Sequence, residues 1–174
     1  MKFKKYLFKK VKSTNDTALR LIKSGIKKGI ILSEYQSKGR GQRENKWISK
    51  KGNLFVTIFF EVNKKLSIKK IIDLNIYIIK KIISKKIKSM VSIKKPNDIL
   101  IYKKKVCGIL QETIFKNGKK ILIIGVGINI ENSPNIYKYK TTYLNMYIKK
   151  KIDKIKLFNE IKLNYEKNLK YFTK

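Results

Sequence analysis

Apolar residues along this chain recur at two spacings, one helical and one strand-like, and the changes between them outline its elements. Ala18, Leu19, Leu21, Ile22 and Ile26 repeat at helical intervals. Ser13 or Thr14 stands ahead of them as a hydroxyl able to cap the first turn, and Asp16 suits the positive end of the helix. Gly25 and Gly29 close it. Residues 30–35 predict a strand, a polar loop runs to Gly52, and residues 54–61 predict a second strand. Isoleucines at 68, 71, 72, 76, 79, 83 and 87 lie mostly three or four apart, which predicts a long helix to about residue 89 with one buried face. Four more strands are predicted at 91–93, 99–102, 106–115 and 120–129. The last two are joined through Asn117-Gly118, residues that tolerate the positive φ of a two-residue hairpin. The tail over 152–171 reads as a helix, with Ile155, Phe158, Ile161, Leu163 and Leu169 among lysines. Everything before Val11 reads as a short basic leader. Helices beside a mainly antiparallel sheet make an α+β domain. With neither an internal repeat nor a proline-rich linker, residues 1–174 are expected to form one domain.

Composition narrows the chemistry. A chain of 174 residues can bury roughly two-thirds of its unfolded surface. Hydrophobic residues at 43% favour folding despite a formal net charge of +33. Such charge attracts polyanions, but the lysines are spread along the whole chain beside isoleucine and asparagine, as drift toward AT-rich codons would leave them. No specific nucleic acid is therefore expected, and a basic nucleic-acid-binding protein stands as the alternative. The absence of histidine excludes imidazole acid/base chemistry and Ser-His or Cys-His pairs, and a single cysteine excludes an internal disulfide and a thiolate zinc cage. The cysteine count suits a reducing compartment. Without a signal peptide or an unbroken apolar run, a cytoplasmic protein with no membrane partner is expected.

The loop Glu34-Tyr-Gln-Ser-Lys-Gly-Arg-Gly-Gln-Arg-Glu-Asn-Lys-Trp47 concentrates glycines, cations and the lone tryptophan between two strands. Gly39 and Gly41 are expected to let backbone N–H groups approach an oxyanion. Arg40, Arg43 and Lys46 supply charge, and Trp47 offers a flat face to a ring. With few apolar anchors, the loop is expected to be mobile and to order over a ligand. Three further segments accompany it: Ser13-Thr14-Asn15, then Lys94-Lys-Pro-Asn-Asp98 with Lys105-Val-Cys-Gly108, then Gly125-Val-Gly127-Ile-Asn129.

In this order, from about Val11 to Ile130, the set resembles the catalytic domain of biotin protein ligases. These enzymes activate biotin with ATP and Mg2+ as biotinyl-5'-AMP and pass it to a lysine of a biotin carboxyl carrier protein domain. The resemblance implies a mixed sheet of the class II aminoacyl-tRNA-synthetase-like biotin/lipoate ligase type. It implies that Lys105 and Arg40 carry the chemistry, Lys105 contacting both the biotin carboxylate and the α-phosphate and Arg40 holding the loop over the adenylate. Two anions must be joined, so positioned cations answer the need better than an acid/base pair. It further implies biotin contacts from Ser13, Thr14, Gln36, Gly39, Arg40, Lys105 and Gly108, and adenylate contacts from Arg40, Arg43, Trp47, Lys94, Gly127 and Asn129. Asp98 is expected to orient neighbours. Ser13 and Thr14 can also serve as helix caps, Trp47 can pack into the core, and the glycines before Asn129 can serve close strand packing. The Mg2+ ligands stay unassigned.

The chain departs from the family pattern. Where the loop often reads Gly-Arg-Gly-Arg-Arg-Gly-Arg, Gln42, Glu44 and Asn45 fill the fourth, sixth and seventh places, and Lys95 stands where tryptophan is usual. No helix-turn-helix domain is expected before Val11, nor a C-terminal β-domain after the tail, so a minimal, monofunctional ligase is expected. A homodimer is left open. A lipoate or octanoate ligase on the same fold, and a decayed ligase that only binds biotin, are the nearer alternatives.

Overall fold

A computed structural model of the chain describes residues 2–43, 45–87 and 90–173. Among these, seven strands form one sheet: β1 (Lys5–Val11), β2 (Gly29–Gln36), β3 (Leu54–Val62), β4 (Val91–Lys94), β5 (Asp98–Ile101), β6 (Lys104–Lys116) and β7 (Lys119–Ile128). Their order is β1-β2-β3-β7-β6-β5-β4, with β1 and β2 parallel and every other pair antiparallel. Helix α1 (Thr14–Lys23) connects the parallel pair, α2 (Ile68–Ser84) follows β3, and α3 (Lys154–Asn168) and α4 (Lys170–Thr173) end the chain. This is the α+β architecture that the hydrophobic spacing predicts.

Strand β3 explains why the sheet carries two cores. Its alternate residues Leu54, Val56, Ile58, Phe60 and Val62 join a large cluster with Ile71, Ile79 and Ile83 of α2 and Phe158 and Ile161 of α3. The opposite side presents Phe59, which packs with Ile31, Ile121 and Ile123 against Ala18 and Ile22 of α1. A strand buried on both faces reads as a nearly continuous apolar run, as Leu54–Val62 does. The Asn117-Gly118 turn holds both residues at positive φ (48° and 70°), which seats the β6–β7 hairpin.

Three expectations change. The basic leader is strand β1, because Tyr6 and Phe8 alternate toward the α1-side cluster while Leu7 and the lysines face outward. Lysines on an outer strand also discourage pairing with other chains. The long helix stops at Ser84, and its backbone leaves the helical path so that Ile87 enters the core and Val91 can pair with Ile101. The last two residues of that expected helix, Lys88 and Ser89, lie outside the described residues. In the tail, the buried stripe runs through Leu157, Phe158, Ile161, Tyr165 and Leu169, whereas Ile155 and Leu163 are exposed.

Candidate functional site

Residues far apart in the chain, from Ser13 to Tyr139, converge on a cavity of about 530 Å³ on the α1 side of the sheet. Ser13, Thr14, Gln36, Arg40, Arg43, Trp47, Lys94, Lys105, Gly108 and Gly127 all line it. Two of the expected site residues do not. Gly39 is buried beneath the loop, and Asn129 lines a small recess behind Trp47.

One wall is neutral, buried and internally bonded. Thr14 donates both its backbone N–H (2.8 Å) and its hydroxyl (2.9 Å) to Gln36 Oε1. Gln36 Nε2 in turn reaches Ser49 Oγ at 3.2 Å. Ser13 is the cap of α1, although the bond it accepts from Asp16 N–H is long at 3.4 Å. Of the two hydroxyls, Ser13 is thus the helix cap, while that of Thr14 fixes the Gln36 amide. Deeper in, Asn15 accepts from Thr57 Oγ1 (2.7 Å) and donates to Glu112 (2.7 Å), filling the space left by the missing side chain of Gly125.

The floor is a glycine pair. Gly108 of β6 and Gly127 of β7 stand opposite each other in the sheet, and the Trp47 indole lies on both. A Cβ on Gly108 would fall 2.8 Å from Trp47 Cζ3, and one on Gly127 would fall 2.6 Å from Cζ2. Their lack of a side chain makes room for the indole rather than for tighter strand packing. Trp47 Nε1 is buried without an acceptor among the described residues. Asn129 donates from Nδ2 to Thr142 O (3.0 Å), so its amide braces the segment after β7.

The glycine loop differs from expectation. Gly39 and Gly41 do not hold positive φ; Arg43 does, at 49°. The Gly41 N–H is already used on Asn45 O (2.6 Å), and Gly39 O accepts from Trp47 N–H (2.9 Å). The Gly41 N–H is thus engaged within the loop, and both glycines let the loop fold on itself. The loop is also well anchored, since Arg40 pairs with Asp16 at 2.6 Å and with Glu112 at 2.5 Å. Burial alone would lower the guanidinium pKa, but hydrogen bonds to those two carboxylates outweigh it and raise the value. Glu44 lies outside the described residues.

Lys105 sits at the centre of the cation side. Its Nζ lies 2.9 Å from Asp98 Oδ1, and both side chains are largely shielded. Asp98 pairs in register with Lys94 across β4–β5 and with Gly108 across β5–β6, and the Lys95–Pro96 turn (a cis peptide) between β4 and β5 lines the same cavity. Cys107, two residues beyond Lys105 in β6, is fully buried, and burial raises its thiol pKa, which leaves it a neutral packing residue. Among the described residues no three His, Cys, Asp or Glu side chains gather as a metal cage. No described helix is long and apolar enough to cross a membrane.

Sequence reasoning missed Asn15, Asp16, Glu112, Lys138 and Tyr139, which line the cavity or anchor its loop. Asp16 and Glu112 gave no local signal, because their partner Arg40 is 24 and 72 residues away. Asn15 lay within a quoted motif, and only the contact with Gly125 reveals its place.

Similar proteins agree with this geometry. The bifunctional ligase/repressor BirA of Bacillus subtilis is 30% identical over 164 residues, covering 89% of this chain and 50% of that protein. The protein of the same name from Escherichia coli is 34% identical over 124 residues, covering 69% and 38%. The chain thus spans half or less of these curated relatives. A solved biotin protein ligase from Aquifex aeolicus in complex with biotin and ATP superposes with a TM-score of 0.82 at 26% identity, over 98% of this chain and 72% of that one. Residues 7–129 match the biotin/lipoate A/B protein ligase family, and with the sheet, the cavity and these relatives in agreement, the chain belongs to that family.

Proposed function

We propose that the chain is the catalytic unit of a biotin protein ligase. The supporting observation is the single cavity on which the neutral Thr14–Gln36 wall, the Arg40 loop and Lys105 converge. In the first step the biotin carboxylate attacks the α-phosphorus of ATP; a P–O bond forms, the bond to the β-phosphate breaks, and pyrophosphate leaves. In the second, the ε-amine of a carrier lysine attacks the acyl carbon, an amide forms, AMP departs and the amine loses a proton.

Each wall has a part in this. Ser13, Thr14 and Gln36 offer donors and an acceptor to a ureido ring, where an unmatched polar group would cost about 1–3 kcal/mol. Lys105 and Arg40 stand where a carboxylate and an α-phosphate would meet, and fixed cations there stabilise charge that grows in the transition state. Arg43 and Lys94 extend positive charge toward the remaining phosphates, while Gly127 and Trp47 form a flat surface for a base. Gly39 and Asn129 act at one remove, by holding the loop and the segment behind it. The carboxylates at the cavity, Asp16, Asp98 and Glu112, are already paired with cations. Mg2+ would accordingly arrive on the phosphates of ATP. The acceptor is a biotin carboxyl carrier protein domain.

The test is to incubate the protein with biotin, ATP and Mg2+, with and without a carrier domain, and to follow pyrophosphate and the carrier mass. Biotin-dependent pyrophosphate release and a carrier heavier by one biotinyl group are expected. Turnover with lipoate or octanoate in place of biotin would move the assignment within the family, and no turnover with any acid would refute it.

A further inference from the structure

The segment after β7 returns to the cavity and grips Lys105 in three ways. Lys105 N–H donates to Lys140 O at 2.9 Å and Thr142 N–H donates to Lys105 O at 2.9 Å, the two bonds of a parallel bridge between Lys105 and Thr141. The third contact is through the side chain. Tyr139 places its ring 5.2 Å from Lys105 Nζ, while Trp47 stands 5.6 Å from the same nitrogen. The ammonium is therefore held by one carboxylate, Asp98, and by two aromatic faces. Nothing in the hydrophobic pattern or the quoted motifs marked Tyr139.

Resting on the ligase reading above, we infer that Tyr139 is a positioning residue for Lys105, its ring holding the ammonium over Gly108 inside the cavity. A lysine with four rotatable bonds loses much freedom when fixed, and an ion pair with one carboxylate constrains the nitrogen only along one direction. Aromatic faces attract a cation without accepting a hydrogen bond, so they confine Nζ and leave its protons available to incoming oxygens. Lys105 Nζ lies 3.4 Å from where a Cβ on Gly108 would sit, which fixes its height above the sheet. The segment carrying Tyr139 thus ties the aim of the cation to its own contacts with the Lys105 backbone.

Two measurements test this, one of them independent of turnover. In the intact protein, trace acylation of lysine amines read by peptide mass reports how accessible each ammonium is. Tyr139→Ala should raise the labelling rate of Lys105 by about threefold or more, and Tyr139→Phe, which keeps the ring, should not. Lys119, paired with Glu61 on the far hairpin, serves as the internal reference. In the pyrophosphate assay, Tyr139→Ala should lower kcat by about fivefold, Tyr139→Phe should recover most of it, and Tyr139→Ala should add nothing to Lys105→Ala. A merely structural tyrosine would reduce the rate by the same factor in both backgrounds, and that result, or an unchanged labelling rate in Tyr139→Ala, overturns the inference. If the parent protein releases no pyrophosphate, the ligase reading fails, while the labelling arm still decides where Tyr139 holds the lysine.

Discussion

The two walls of the cavity are built on different principles. The Thr14–Gln36 side is buried and neutral, and the bonds among Thr14, Gln36 and Ser49 hold it in place before any ligand arrives. The opposite side keeps its cations on the protein's own carboxylates, Arg40 on Asp16 and Glu112, and Lys105 on Asp98. A neutral wall can be rigid because its bonds need not break when a ring slides in beside it. The charged wall must exchange partners, since an incoming carboxylate or phosphate competes with the resident acids. Rigidity therefore serves recognition of the head group, and exchangeable pairing serves the chemistry.

The largest effect expected lies on the charged side. Lys105→Ala should cut biotin-dependent pyrophosphate release by at least tenfold, toward the roughly hundredfold loss typical when a preorganised charge-stabilising donor is removed. Its melting temperature should fall modestly while the fold is kept, because Asp98, largely shielded, loses its partner. An unaltered rate would remove Lys105 from the reaction and erase the contrast. Next comes the floor shared by both walls. Gly127→Ala drives a methyl into the indole, and overpacking of this kind costs about 1–3 kcal/mol, so the KM for ATP should rise by about tenfold. A KM equal to the parent's would mean that the indole is no part of the nucleotide surface.

On the neutral side, Thr14→Val keeps the shape and removes the hydroxyl bond to Gln36, which should lower stability by about 1 kcal/mol and weaken biotin binding several-fold by calorimetry. Undiminished biotin affinity would show that the wall does not depend on its internal bonds. Asp16→Asn removes one of two exposed ion pairs and should cost under about 1 kcal/mol. Its readout is amide exchange over residues 39–46, which should quicken in the empty protein and slow again with biotin and ATP. Equal exchange with and without ligand in the parent protein would mean that the carboxylates alone close the loop.

The smallest effect is a pH control away from both walls. Glu166 accepts from Phe3 N–H at 2.5 Å and from Lys162 Nζ at 2.7 Å. Burial raises its pKa, but those bonds outweigh that and bring it below the ordinary carboxylate value. A depressed folded pKa gives stability that is present above the unfolded value and lost as pH falls through the folded one. Parent and Glu166→Gln should therefore differ in melting temperature near neutrality and converge in acid. A gap that persists at low pH would assign the effect to packing.

The fold was largely legible because its signals are local. Period-two and period-3.6 spacing located β2, β3, β6, β7 and α1, and Asn117-Gly118 set the hairpin. Strand β1 was hidden because lysines surround Tyr6 and Phe8, and charge at an outer edge looks like solvated leader. The end of α2 was hidden because the isoleucine spacing continues to Ile87 after the helix has stopped. At the site, motif order brought Ser13, Gln36, Lys105 and Trp47 together on the page as the fold does in space. The partners that hold them were not legible. Glu112 for Arg40 and Tyr139 for Lys105 depend on register and on the return of a late segment, neither of which leaves a local pattern.

The seat of Trp47 on two glycines gives the protein an optical consequence. It is the only tryptophan in the chain, so all indole emission comes from the cavity floor. Its Nε1–H is buried, and a lysine charge stands 5.6 Å from its ring. A ligand that moves Lys105, displaces the indole or stacks on it will shift the wavelength or quench the light. Occupancy of the site can thus be followed continuously in the unlabelled protein through its one indole.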